Sequence, residues 1–313
     1  MTTVILAGLL AAQAGNATYP VQPYYLYPAD QPYHKAYEEA ANKIAKEIQE
    51  WYKERVGTTF RLKPLIVKQS KLTYAQMRGG ANPSDEVLAD KQKMPRWWEG
   101  VEQSVGGWKD REVTWVFAQG GGGYAAANLI RTYAGIGMFG DWVLEPVSGV
   151  REPAAITADL ATWQVQGGVP MGTTAHELGH AFGLHHPDDY PGKSIMRWHG
   201  DYPKTDLLDH ELLILRNSPH FVPNAYSPQA PWVDFENEDK MVWDTIYRVR
   251  GRGFKEGDEL EFVDVKQTIV AKPMVLEPGA ITVRVPKDIG PGFIRARRGE
   301  LKGNAVPVNF YPK

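Results

Sequence analysis

The stretch His176-Glu177-Leu178-Gly179-His180-Ala181-Phe182-Gly183-Leu184-His185-His186 places four histidines and one glutamate in eleven positions. His176 and His180 are four apart, so on a helix both imidazoles lie on one face, one turn from each other. Two nitrogens placed in this way reach a single zinc ion at about 2.0–2.1 Å. Glu177, one residue on, leans its carboxylate over the rim of such a site without taking a ligand position, where it can act as general base toward a water. Gly183 supplies the turn that the third ligand needs, because glycine takes φ > 0 at little cost, ends the helix and sends the chain back. His186 then arrives from outside the helix. Three neutral imidazoles leave one position for water or substrate, which marks a catalytic rather than a closed structural site. His185 adjoins the expected ligand, but the turn geometry fits the later position.

Other residues with chemical potential carry less. Gly120 to Gly123 follow a strand and, with Asp141 further on, match a dinucleotide glycine pattern; no clear βαβ unit surrounds them, so a close-packed backbone turn is expected. Asp188 and Asp189 are too few to argue a calcium site, so Ca²⁺ is possible as a cofactor but unsupported by the sequence. His34, His199, His210 and His220 read as non-ligands. Trp97, Trp98 and Trp232 read as packing residues rather than a sugar platform.

Positioning this cluster takes a folded domain, and the chain has room for two: 313 residues, 43% of them apolar. A net charge of −2 with mixed signs argues against a nucleic-acid or membrane-surface partner. The absence of cysteine excludes disulfides, thiolate zinc sites and cysteine nucleophiles. Val4 to Ala12 is apolar and too short to span a bilayer, and Ala12-Gln13-Ala14 offers a small-x-small cleavage pattern. Residues 1–14 are therefore expected to be a signal peptide, and the protein to be secreted, periplasmic or cell-surface. No other stretch approaches the ~20 apolar residues of a membrane helix.

Tyr37, Ala41, Ile44, Ile48 and Trp51 form one stripe of a helix over about 34–56. Residues 59–67 and 112–118 read as strands, 71–107 as a long surface excursion, and Trp142-Val143-Leu144 as a short strand. The helix that carries the histidines should start near Gly172, and another covers about 206–216, ending at Asn217-Ser218-Pro219. After Pro223 the pattern changes to about seven β-rich runs divided by turn residues, the pattern of a small β-sandwich. The division expected is 15–223 for a zinc domain and 224–313 for the sandwich, with a break near 217–227 that leaves two separately folded parts.

The histidine motif resembles that of the metzincin clan of zinc metallopeptidases. Ser194-Ile195-Met196, shortly after His186, is similar to the clan's Met-turn, in which a methionine lies beneath the zinc ligands. The resemblance covers about 33–218. It implies an α+β catalytic domain, a twisted sheet over an active-site helix, with Met196 in the Met-turn and 206–216 as a closing helix. Pro187 after the third histidine is similar to serralysins, whereas Thr174-Ala175-His176-Glu177-Leu178-Gly179-His180 looks more like matrixins. Two departures stand out. Trp198 occupies the place where astacins and serralysins carry a tyrosine, and a chain without cysteine cannot have the matrixin cysteine switch. Val249-Arg250-Gly251-Arg252-Gly253-Phe254, with Gly257, resembles the immunoglobulin-like TIG (IPT) domain.

These resemblances imply a secreted zinc endopeptidase with Zn²⁺ as cofactor. Glu177 takes the proton of a zinc-activated water, and a protein or peptide lies extended along a sheet edge, which is expected in 135–144. The rival readings are a zinc-binding adhesion protein that works through its sandwich, and a zinc hydrolase of a non-peptide amide. An intact Glu177 speaks against the first.

Overall fold

The computed structural model describes residues 17–79, 97–120, 124–129, 131–150, 169–187, 190–234 and 240–313. The expected signal peptide and the Asp188-Asp189 pair lie outside the described residues.

The first part runs β1 (Pro20–Tyr27), α1 (Lys35–Val56), β2 (Arg61–Leu62), β3 (Ile66–Gln69), α2 (Tyr74–Gly79), α3 (Trp97–Val105), β4 (Val113–Ala118), β5 (Tyr124–Leu129), β6 (Ala134–Phe139), α4 (Asp141–Ser148), α5 (Val169–Ala181) and α6 (Asp209–Leu215). Its strands form one sheet in the order β2-β1-β4-β6-β5, with β3 also paired to β1. The pairings from β1 to β6 are parallel, while β5 runs antiparallel to β6 and forms the edge. β4 and β6 are buried along their whole length, since helices cover both faces. On one face Val113, Trp115 and Phe117 join the apolar stripe of α1 and residues Ala175 and Leu178 of α5. On the other, Val116 and Ala118 pack with Met77 of α2 and with Trp97 and Val101 of α3.

Three local expectations need correction. Residues 142–144 lie in helix α4, not in a strand: three apolar residues in a row cannot distinguish the two periods, and Asp141 in the first turn and Gly149 as the left-handed C-cap decide for a helix. The described parts of 71–107 are not a surface excursion; α2 and α3 form the second cover of the sheet. The strand read over 59–67 is divided into β2 and β3. The remaining differences are shifts of helix ends, with α5 beginning at Val169 and α6 confined to Asp209–Leu215.

The last part holds β7 (Trp232–Val233), β8 (Lys240–Val242), β9 (Ile246–Arg252), β10 (Glu259–Asp264), β11 (Thr268–Ala271), β12 (Val275–Glu277), β13 (Ala280–Arg284), β14 (Gly292–Arg298), β15 (Leu301–Lys302) and β16 (Val306–Tyr311). One sheet has the order β11-β10-β14-β16-β8, with β15 paired to β14, and the other β12-β13-β9-β7. Val249, Ile281 and Val283 of the second sheet and Phe262, Ile294 and Val308 of the first share one apolar core, so the two sheets form a sandwich. Among the described residues no helix is long and apolar enough to cross a membrane.

Candidate metal centre

Helix α5 lies on β5 and β6 and carries His176, Glu177 and His180. Its C-terminus is a Schellman turn: Leu184 N–H donates to Gly179 O at 3.0 Å and Gly183 N–H to His180 O at 2.9 Å. Gly183 is the left-handed residue of that turn, at φ +98°, as the reversal of the chain toward His186 requires.

The three histidines expected as ligands converge. Their Nε2 atoms lie 3.1 Å (His180–His176), 3.1 Å (His180–His186) and 3.2 Å (His186–His176) apart. A tetrahedral zinc with bonds of about 2.0–2.1 Å needs ligand nitrogens roughly 3.3 Å apart, so the spacing fits. The tautomers fit as well. His176 Nδ1 lies 2.7 Å from Ile195 O and His180 Nδ1 2.7 Å from Leu184 O. A carbonyl only accepts, so both Nδ1 atoms carry the proton and both Nε2 atoms present bare lone pairs. Lone pairs that face each other at 3.1 Å repel unless a cation sits among them. Burial, and then the neighbouring His180, hold the His176 imidazole well below its ordinary pKa, which keeps it in the neutral, ligating form. Among the described residues these three form the one group of His, Cys, Asp or Glu side chains arranged to hold a metal ion. His185, His34, His210 and His220 lie outside it. His34 stacks on Tyr37, the His210 ring lies tilted 5.4 Å from that of Tyr190, and His220 bonds to Tyr133 O.

Glu177 is buried beside the cluster, with Oε1 3.8 Å from His176 Nε2. Desolvation pushes its carboxyl up to about 7, from an ordinary 4.5, the range in which a group both takes and returns protons near neutrality. Met196 is fully buried and lies against the helix backbone: a Cβ at position 179 would stand 2.4 Å from its Sδ, so Gly179 makes the close approach possible. The same turn supplies Ile195 O, the acceptor that orients His176.

Sequence reading missed what holds this turn. Ser194 Oγ accepts Met196 N–H at 2.9 Å and donates to Glu211 at 2.7 Å, while Glu211 also accepts Leu208 N–H at 2.7 Å. The signal was Glu211, the second of two acids in the first turn of α6, set directly before the apolar run Leu212 to Leu215. Burial pushes Glu211 up to about 7. Its folded pKa lies above the ordinary 4.5, so the folded state holds the extra proton between those values. The stability it contributes is complete below about 4.5 and is lost as pH rises through about 7. Glu211→Gln, which keeps both the acceptor and a donor, is expected to remove this slope, on the order of 3 kcal/mol across the window. Denaturant midpoints of both proteins between pH 4.5 and 8 check it; parallel profiles would contradict it.

His199, read as a non-ligand, is not part of the triad, yet its ring lies 5.0 Å from that of His176, and its buried Nδ1 has no hydrogen-bond partner among the described residues. Exposed Trp198 stacks beside it. The glycine run joins no phosphate cradle where it is described: Gly120 N–H donates to Asp141 Oδ1 at 2.7 Å. The edge strand beside the helix is β5, not 135–144, because β6 is enclosed by β4 and β5, and 141–148 is helical. Asn128 at the end of β5 donates to His180 O at 2.9 Å and ties edge to helix.

No known protein family matches the chain, and no curated protein does. Several solved structures are similar in part. Wild-type OgpA from Akkermansia muciniphila is 12% identical with a TM-score of 0.43, covering 90% of this chain and 88% of that one; a catalytically inactive form of OgpA has been solved with an O-glycopeptide substrate. Archaemetzincin from Methanopyrus kandleri is 17% identical with a TM-score of 0.25, over 65% of this chain and 91% of that one. A structural-genomics protein of unknown function from Bacteroides thetaiotaomicron is 15% identical with a TM-score of 0.24; the match covers 28% of this chain and 23% of that one. All these TM-scores lie below 0.5, so the chemistry of the site rests on its own side chains.

Proposed function

We propose that this protein is an exported zinc endopeptidase of metzincin type, with a TIG-like sandwich at 224–313. One observation carries the reading: three imidazoles turn their Nε2 atoms on one point, within 3.2 Å of one another, two of them with Nδ1 on a carbonyl oxygen, and a buried carboxylate stands alongside. His176, His180 and His186 would hold the ion. Zinc bound there supplies Lewis acidity, polarising a carbonyl and making a water acidic enough to ionise near neutral pH. Glu177 accepts the proton of the attacking water and returns it to the leaving amine. Ile195 O and Leu184 O keep two of the imidazoles turned inward through the reaction. Among the described residues the antiparallel strand β5, beside the helix, ends the sheet, an edge on which an extended peptide can add as a strand. The apolar run 4–12 and Ala12-Gln13-Ala14 support export.

The ligand assignment predicts that His186→Ala abolishes stoichiometric zinc binding while His185→Ala retains it, as read by metal analysis of the purified proteins. The reverse pattern would overturn the assignment. The activity itself is tested by digesting a denatured protein mixture with and without a zinc chelator and mapping the cuts. Chelator-sensitive internal cleavage is expected. An intact mixture, with turnover only of non-peptide amides, would overturn the reading.

A further inference from the structure

His186 is exposed, and it alone of the three histidines stands outside the helix, so the loop that presents it needs support of its own. On the inner side His180 Nδ1–H holds Leu184 O, and Arg197 Nη2 donates to Pro187 O at 2.7 Å. On the outer side the support comes from the far end of the chain. Tyr190 OH donates to Phe310 O at 3.0 Å, and its ring lies 6.4 Å from that of Tyr311. Tyr190 N–H in turn donates to Pro187 O at 3.1 Å, next to the ligand. Three residues before His186, a Cβ at Gly183 would stand 3.6 Å from Pro307 Cγ. The end of α5 and the sandwich also wall one small cavity, with Ala181 and Phe182 on one side and Ala305 and Pro307 on the other. Pro307, Phe310 and Tyr311 all belong to β16, whose first half (306–308) pairs with β14 and whose second half (309–311) pairs with β8, so each half of the wall is held in the sheet.

We propose that β16 of the sandwich is part of the metal site's framework: through Tyr190 and Pro307 it fixes the turn that presents His186, so the sandwich sets the affinity of the site for its metal. Tyr190 acts here as a positioning residue. A ligand on an exposed loop loses conformational freedom when it binds, and an outer contact that has already restricted the loop reduces that cost. The coupling is reciprocal, so a bound metal must tighten the contact between the loop and β16. This rests on His186 being a ligand.

The test uses the full chain. In Tyr190→Phe, zinc affinity by competition with a chromogenic chelator is expected to fall about tenfold, and the visible spectrum of the cobalt-substituted protein to change. Val249→Ala, which removes apolar volume from the sandwich core away from the loop, is expected to lower the melting temperature and leave zinc affinity unchanged. Wild-type affinity in Tyr190→Phe, or an equal loss in Val249→Ala, overturns the proposal. Hydrogen exchange of the unmutated protein decides the matter if a variant fails to fold: zinc should slow the amides of 308–311, and zinc-independent exchange there overturns it. If His186→Ala binds zinc as tightly as wild type, it is the ligand assignment that has failed instead.

Discussion

Glu177→Gln is expected to lower turnover by at least about 100-fold, with fold and zinc content unchanged. Glu177 is the acid that the helix places at the triad, with Oε1 3.8 Å from His176 Nε2. The amide fills the same space but cannot accept the proton of an attacking water. The carboxylate donates no coordination in this reading, so zinc content by metal analysis should match wild type. The loss should appear in kcat rather than KM, because Glu177 acts in the step itself. A near-normal kcat in this variant would remove Glu177 from the mechanism.

Gly135→Ala is expected to destabilise the first part of the chain by about 3 kcal/mol, lowering its melting temperature by roughly 6–12 °C. A Cβ at position 135 would stand 2.2 Å from Ala181 O, at the end of α5, and 2.9 Å from Val113 Cγ2 on the neighbouring strand. The first of these atoms is backbone, so no rotamer relieves the clash, and α5 has to move away from the sheet. That displacement moves His180, the residue before Ala181, so weaker zinc binding should accompany the loss of stability. Gly279→Ala is the control: the nearest atom to its Cβ would be 3.9 Å away, and a change within about 0.5 kcal/mol is expected. Equal melting temperatures for Gly135→Ala and wild type, by calorimetry, would show that the helix does not rest on the sheet at this point.

The parts of the site that lie close together in sequence were legible. The four-residue spacing of His176 and His180, the glycine turn and His186 are local, and the structure brings the three imidazoles together. The helix over 34–56 and the switch to short strands after Pro223 were legible for the same reason, since each follows from the period of the pattern itself. Pairings between distant segments were not. Trp142-Val143-Leu144 is too short to set a period, and which strand became the edge depended on β5 turning back antiparallel beside β6, which no local pattern encodes. His199 gave no sign that it would lie beside His176, because the turn that brings it there is fixed by Ser194 and Glu211 across 17 residues. Tyr190 and Phe310 are 120 positions apart. The three expected ligands all precede the break near 217–227, and the two parts have separate apolar cores; the contact of Tyr190 with Phe310 crosses that break.

The most direct measurement is a zinc titration of the metal-stripped full chain, with cleavage of an unstructured peptide read at each addition. The account predicts no cleavage without metal, a linear rise with zinc, and a plateau at one zinc per chain, with His186→Ala inactive throughout. Full cleavage by the stripped protein, or no cleavage of any peptide bond at saturating zinc, would contradict it.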